Sequence, residues 1–173
     1  MVRAATEADL PAITAIYSHH VRHGTGSFEI DPPDEAEIAE RRRAIVSRGL
    51  PYLVAEVDGF VAGFAYAGVY RPRPAYRFTV ENSVYVHADR QGRGIGRSLL
   101  GPLIESCGGA GYRQMIAVIG DSANTASIRL HERFDFRQAG VLKGVGFKFE
   151  RWLDAVLMQR DLTTAAGGII VPE

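Results

Sequence analysis

The chain has 173 residues, 46% hydrophobic and 23% charged, and its 20 basic side chains balance 20 acidic ones, leaving no formal net charge. That length suits one domain able to bury most of the apolar surface its unfolded form exposes. Charge balance argues against nucleic acid as a partner, because phosphate binding at physiological salt needs an excess of Lys and Arg. The N-terminal MVRAATEADL lacks the apolar run of a signal peptide, and no stretch approaches the roughly 20 apolar residues of a membrane span. A cytoplasmic protein without a membrane partner is expected. The single cysteine, Cys107, cannot form an internal disulfide, in keeping with a reducing compartment.

In chain order, Thr6 and Asp9 form a capping-box pattern, and Leu10, Ile13, Ile16 and Tyr17 follow at helical spacing, which predicts a helix ending near residues 20–22. Residues 23–33 hold two glycines and two prolines and read as a loop carrying Phe28 and Glu29. Asp34 opens a second helix, with acidic residues in its first turn and Gly49 past its end. Residues 52–57 and 60–70 are rich in β-branched and aromatic residues and flank Asp58-Gly59, a hairpin signal. Residues 71–75 form an insert with two arginines and two prolines. Over 77–86, Phe78, Val80, Val84 and Val86 share one strand face and Thr79, Glu81, Ser83 and Tyr85 the other.

A glycine-rich segment, 91–96, then opens a helix with Leu99, Leu100, Leu103, Ile104 and Cys107 on its apolar face, where Pro102 predicts a kink or a late start. A buried strand over 115–119, a helix over 125–133 and strands over 136–142 and 147–160 complete the pattern. Residues 163–173 lack periodicity and are expected to form a flexible tail after a domain spanning 1–162. The order of elements predicts an α/β domain with a mixed, centrally antiparallel sheet.

QGRGIGRSLL follows a strand and opens a helix, so amides without intrahelical partners point out of the helix N-terminus, a setting that binds phosphate. Gly92, Gly94 and Gly96 allow close approach of a bulky anion, and Arg93 and Arg97 add positive charge. A dinucleotide fingerprint fits poorly, since the third glycine falls one residue early, and the Gly-Lys-Ser/Thr of a P-loop is missing. A glycine-rich turn without a ligand is the remaining local alternative.

Gln91 to Gly96, as Q-x-x-G-x-G after a hydrophobic strand, resembles the acetyl-CoA signature of the GNAT N-acetyltransferase superfamily, and NTASIRLHERFDF resembles a second motif of that family. The resemblance spans nearly the whole chain. It implies a GNAT-like, mostly antiparallel sheet flanked by helices, with acetyl-CoA as co-substrate. Pantetheine would meet Tyr85, Val86 and His87. The pyrophosphate would meet Gln91, Gly92, Arg93, Gly94, Ile95, Gly96, Arg97 and Ser98, and Asn124 and Ser127 would also face the cofactor. His131 stands where the superfamily often has tyrosine, and Asp135 where it usually has glycine.

FTVENSVYVH, VIGDSANTASIRLHE and VGFKFERWLD are similar to the branch that acetylates the α-amino group of phosphinothricin, methionine sulfone and methionine sulfoximine, in which histidine at the position of His131 is usual. This resemblance implies Phe28, Glu29, Arg71, Tyr76 and Arg77 as substrate contacts and a homodimer. Arginine suits a substrate carboxylate, although arginines in a loop are often only solvated.

The chemistry needs a neutral amine and a polarised thioester. Glu81, on the strand leading to the loop, is the expected general base, directly or through water, and His131 the expected acid or water holder. Glu81 could instead be a polar residue on a solvated strand face, and His131 a helix histidine satisfied by a neighbour. An N–H near Val86 would meet the thioester oxygen. An acyl-cysteine route through Cys107 is disfavoured by its place on an apolar helix face, and no residue spacing suggests a metal. The alternatives are a GNAT enzyme for a polyamine, peptide N-terminus or aminoglycoside, or a non-catalytic acyl-CoA-binding module.

Overall fold

The computed structural model describes residues 1–163; the expected tail lies, from residue 164 on, outside the described residues. Seven strands form one sheet: β1 (Val2–Ala4), β2 (Tyr52–Val57), β3 (Phe60–Val69), β4 (Thr79–Val86), β5 (Gln114–Gly120), β6 (Arg137–Lys148) and β7 (Arg151–Asp161). Their order is β1-β2-β3-β4-β5-β7-β6, and every neighbouring pair is antiparallel except β4 and β5. The predicted mixed sheet is present. The edge strand β1, three residues long, is too short to leave a period in the sequence.

Helices α1 (Leu10–His23) and α2 (Glu35–Val46) cover one face, burying Ile13, Ile16, Val21 and Ile38 against Val54 and Phe64. The longer helix α3 (Ile95–Gly109) and short α4 (Thr125–Glu132) lie on the other. Leu99, Leu100 and Leu103 are fully buried there against Ala65, Val80 and Met115, each contributing about 1.5–3 kcal/mol of hydrophobic stabilisation. Asp34 caps α2 by accepting from the Glu37 N–H at 2.8 Å, and the Thr6–Asp9 box forms at a short 3₁₀ turn ahead of α1.

Three expectations change. Pro102 does not delay the start of α3, which begins at Ile95 and runs on past it to Gly109. The hairpin of β6 and β7 turns at Phe149 and Glu150, both in the left-handed region (φ 53° and 57°), and the interruption expected at 143–146 is a bulge within β6, where pairing passes from Leu142↔Ala155 to Gly146↔Leu153. Neither residue is a usual turn former, which hid the turn from sequence rules. The strand expected from residue 77 begins at Thr79, while the Phe78 carbonyl accepts from the Arg113 N–H. At Asp135 the chain is left-handed (φ 58°), the conformation for which glycine is the easier choice.

Candidate active site

The parallel pair β4/β5 creates the site by coming apart. Pairing runs from Thr79↔Gln114 to Asn82↔Ala117; beyond it β4 stays with β3 as far as Val86, and β5 stays with β7 as far as Gly120. In an antiparallel ladder, alternate residues direct both backbone groups to the same side. Because the His87 N–H donates to Ala62 and the Thr79 carbonyl accepts from Tyr70, odd-numbered residues of β4 face β3. Val84 and Val86 therefore direct their amides into the gap. The Val86 carbonyl accepts from His20 Nε2 at 2.8 Å, leaving its N–H for another partner. The cavity over this gap has a volume of about 1000 Å³.

The glycine loop closes one end. Gly92 and Gly94 have φ of 73° and 80°, and a Cβ on either would meet nothing within 4 Å, so the backbone there faces open space. Gly94 is the N-cap of α3 and offers no side chain to the amides of Ile95, Gly96 and Arg97, which have no intrahelical partners. Ser98 differs. Its N–H donates to Gly94 and its hydroxyl to Ile95, so both groups are already satisfied. His87 Nδ1 accepts from the Asp89 N–H, capping the 3₁₀ turn before the loop.

At the apex, where the strands separate, Asn82 bridges three elements. Its Nδ2 donates to the Ile116 carbonyl at 3.2 Å, which leaves Oδ1 to accept from His131 Nε2 at 3.0 Å. His131 Nδ1 lies 2.8 Å from the Ser127 carbonyl, and the ring packs edge-on against Phe136. The side chain is only 3% exposed. Burial lowers its pKa below the ordinary imidazole value, with the Ser127 carbonyl opposing. Asn124 caps α4 by accepting from the Ser127 N–H.

Glu81 projects from the opposite face of β4, the face of Ser83 and Tyr85, and pairs with Gly68 across the ladder. Burial raises its carboxyl above the ordinary carboxylate range, the Arg71 charge opposing. Arg71 lies over the Tyr70 ring, Tyr76 packs edge-on to Tyr70, and Arg77 lies over Phe78. In the first loop, Glu29 is held by the Tyr17 hydroxyl at 2.8 Å and Arg41 at 2.6 Å. Phe28 sits against Gly120 and Gly146, where a Cβ would come within 2.9 and 2.4 Å of its ring. Lys148 Nζ ties the loop down by donating to the carbonyls of Gly24 and Ser27 at 2.9 and 2.8 Å.

The structure thus brings Tyr85, Val86, Gln91, Gly92, Gly94, Ile95, Gly96, Arg97, Asn124, Ser127 and His131 around one cleft. Glu81, His87, Arg93 and Ser98, together with Phe28, Glu29, Arg71, Tyr76 and Arg77, do not line it. Sequence reasoning missed Asn82, His20, Arg129 and Arg133, which do. Two left a signal: Asn82 interrupts the apolar face of Val80 and Val84, and His20 continues the buried stripe of Ile13, Ile16 and Tyr17. Among the described residues, no group of three His, Cys, Asp or Glu is placed to hold a metal ion, and no helix is long and apolar enough to cross a membrane. Cys107 is fully buried and its thiol is pushed up to about 12 by burial.

Residues 13–136 match the model of the acetyltransferase (GNAT) family. The chain is 59% identical over 172 residues to a phosphinothricin N-acetyltransferase of Alcaligenes faecalis, covering 99% of this chain and 86% of the relative. It is 42% identical over 164 residues to an L-methionine sulfoximine/L-methionine sulfone acetyltransferase of Salmonella typhimurium, covering 93% and 94%. Among solved structures, it superposes with a TM-score of 0.91 on a GNAT superfamily phosphinothricin acetyltransferase from Sinorhizobium meliloti in complex with acetyl-CoA. That chain is 46% identical, and the match covers 93% of this chain and 87% of the other.

Proposed function

The chain belongs to the acetyltransferase (GNAT) family, and from that premise we propose that it transfers acetyl from acetyl-CoA to the α-amino group of a small amino-acid-like compound such as phosphinothricin, methionine sulfone or methionine sulfoximine. The proposal includes a single domain over residues 1–162 acting in the cytoplasm as a homodimer. The observation that carries it is the parted β4/β5 pair with the glycine loop at its mouth. An extended amide-bearing arm can pair with the open backbone of Val84 and Val86 while a pyrophosphate meets the amides at the start of α3. Tyr85, Gln91, Asn124 and Ser127 line the same channel, and His87 and Arg93 flank it. The residues fit the co-substrate: the cavity is large, and both loop glycines face open space.

Bound there, acetyl-CoA supplies a thioester carbon that a neutral amine attacks directly, forming the C–N bond and releasing the thiol. Glu81 removes the amine's proton, directly or through water, and its burial suits the task, since a raised carboxyl is a stronger base. Whichever of the Val84 and Val86 N–H groups the arm leaves free takes the charge that develops on the carbonyl oxygen. His131 returns a proton to the sulfur, for which burial makes its imidazolium a better acid. To do so the ring must exchange its hydrogen bond to Asn82. Glu81 and His131 lie on opposite faces of β4, so the amine approaches from the side of α1 and α2 and the thioester from the other, meeting in the gap. Arg71, whose charge reaches Glu81, would receive the carboxylate of the amine together with Tyr76 and Arg77 of the same insert, with Phe28 and Glu29 closing over it.

Thiol release from acetyl-CoA tests this reading with phosphinothricin, methionine sulfoximine and methionine sulfone against spermidine and kanamycin. The amino-acid analogues should be turned over faster. A preference for spermidine would reject the amine assignment, and no release with any amine would favour an idle acyl-CoA-binding module.

A further inference from the structure

The parting of β4 from β5 needs a cause, because both strands turn backbone groups toward the gap. Val84 and Val86 do so on β4. On β5 the Asp121 N–H donates to the Asp154 carbonyl of β7, so odd-numbered residues face β7, and Val118 and Gly120 face β4. Backbone groups seek partners, and these would carry the parallel ladder onward past Asn82. The end of α1 stands in the way. His20, in its last turn, donates from Nε2 to the Val86 carbonyl at 2.8 Å. A carbonyl only accepts, so the ring carries its proton on Nε2. Further on, the Thr25 carbonyl lies against Gly120 at the end of β5, within 2.0 Å of where a Cβ would stand. One segment, residues 20–25, thus touches the diverging end of each strand.

His20 is itself held from several sides. Its ring lies 5.4 Å from that of Tyr85, which packs on Phe64 and Tyr17 at 5.1 and 5.0 Å. The Gly24 N–H donates to the His20 carbonyl at 3.0 Å, and Lys148 Nζ holds the Gly24 carbonyl from β6. Upstream, Ile13, Ile16 and Val21 anchor α1 in the core. Burial lowers the imidazole below its ordinary pKa, with the Val86 carbonyl opposing, so the ring is neutral near pH 7. The peptide unit between Val86 and His87 is planar, and both its polar groups are fixed, the carbonyl by His20 and the N–H by the Ala62 carbonyl at 2.9 Å. Only the two soft torsions of Val86 separate that unit from the amide that faces the gap.

We propose that His20 is a positioning residue for acetyl transfer: by holding the Val86 carbonyl it keeps the end of β4 from pairing again with β5, and so fixes the Val84 and Val86 amides on which the pantetheine arm and the thioester oxygen depend. The inference rests on the acetyl-CoA reading. It is tested by thiol-release kinetics with the amine that wild type turns over fastest, together with calorimetric titration of acetyl-CoA and thermal unfolding. His20→Phe keeps a flat ring without a donor, and His20→Gln restores an N–H at nearly the same reach. In His20→Phe kcat should fall roughly 10- to 100-fold, as expected when reacting groups are misplaced by about 1 Å, with KM for the amine unchanged. Acetyl-CoA should bind roughly 2- to 10-fold more weakly, the worth of one neutral hydrogen bond, because the glycine loop is intact. His20→Gln should recover most of kcat. His20→Ala, which removes the donor without setting an apolar ring beside a carbonyl, carries the same expectation should His20→Phe not fold. A folded His20→Phe or His20→Ala enzyme that melts earlier but keeps near-native kcat below its melting temperature overturns the proposal, leaving His20 a structural residue. So does a His20→Gln enzyme that loses as much kcat as His20→Phe. A wild type that neither binds acetyl-CoA nor releases thiol removes the acetyl-CoA reading and this inference with it.

Discussion

Replacing Glu81 with Gln separates catalysis from folding, because the two should move in different directions. Glu81 is held with its carboxyl raised by burial, only partly offset by the Arg71 charge. A carboxylate whose folded pKa is raised binds its proton more tightly folded than unfolded, so stability falls as pH rises from the ordinary carboxylate value through the raised one. At neutral pH the ionised Glu81 is therefore a cost to the fold. The amide of Gln keeps the shape and removes the charge, so the melting temperature should stay level or rise. Turnover should fall by roughly 10²- to 10⁴-fold, the usual worth of a positioned base. In wild type, kcat/KM should drop as pH falls through the raised Glu81 pKa. In the variant that limb should disappear, and higher pH should restore part of the rate by presenting more neutral amine. Thiol-release kinetics across pH, with thermal unfolding on the same samples, read all of this. Near-native turnover at neutral pH would show that the amine's proton leaves by another route, and a melting temperature that falls together with activity would mean that Glu81 is structural.

At Gly120 a Cβ would come within 2.0 Å of the Thr25 carbonyl; Gly120→Ala should cost about 1–3 kcal/mol, displace Phe28 and raise KM for the amine, with acetyl-CoA affinity unchanged in titration. Asn82→Ala leaves His131 Nε2 without its partner and should destabilise by about 1–3 kcal/mol. Loss of the acceptor at Nε2 lowers the imidazolium pKa further, so the alkaline limb of kcat should move to lower pH; an unmoved limb would remove His131 as the proton donor. Cys107, buried with its thiol near 12, should resist iodoacetamide at pH 8 in the native protein and react on unfolding. Inactivation by labelling of the native thiol would bring back the acyl-cysteine route.

Much of the architecture was legible because it is local. The Asp34 cap, the Asp58-Gly59 turn and the apolar face of α3 each depend on residues a few positions apart, and Gly92 and Gly94 announce a backbone that must adopt positive φ beside a helix start. The resemblance to a known family supplied roles for residues that no period marks, Glu81 and His131 among them. Local rules failed where sterically ordinary residues took an unusual conformation, Phe149 and Glu150 in a left-handed turn. The contacts that shape the cleft join residues far apart in the chain. Asn82 meets His131 across 49 positions, His20 meets the Val86 carbonyl across 66, and Lys148 holds Gly24 across 124. Hydrophobic periodicity tells which face of a strand or helix turns inward, but not which polar group on another element will stand opposite. That is set by where paired strands separate and how the helices pack on them, and in this protein the separation of β4 from β5 after Asn82 puts the glycine loop, the arginines and the buried histidine around one channel.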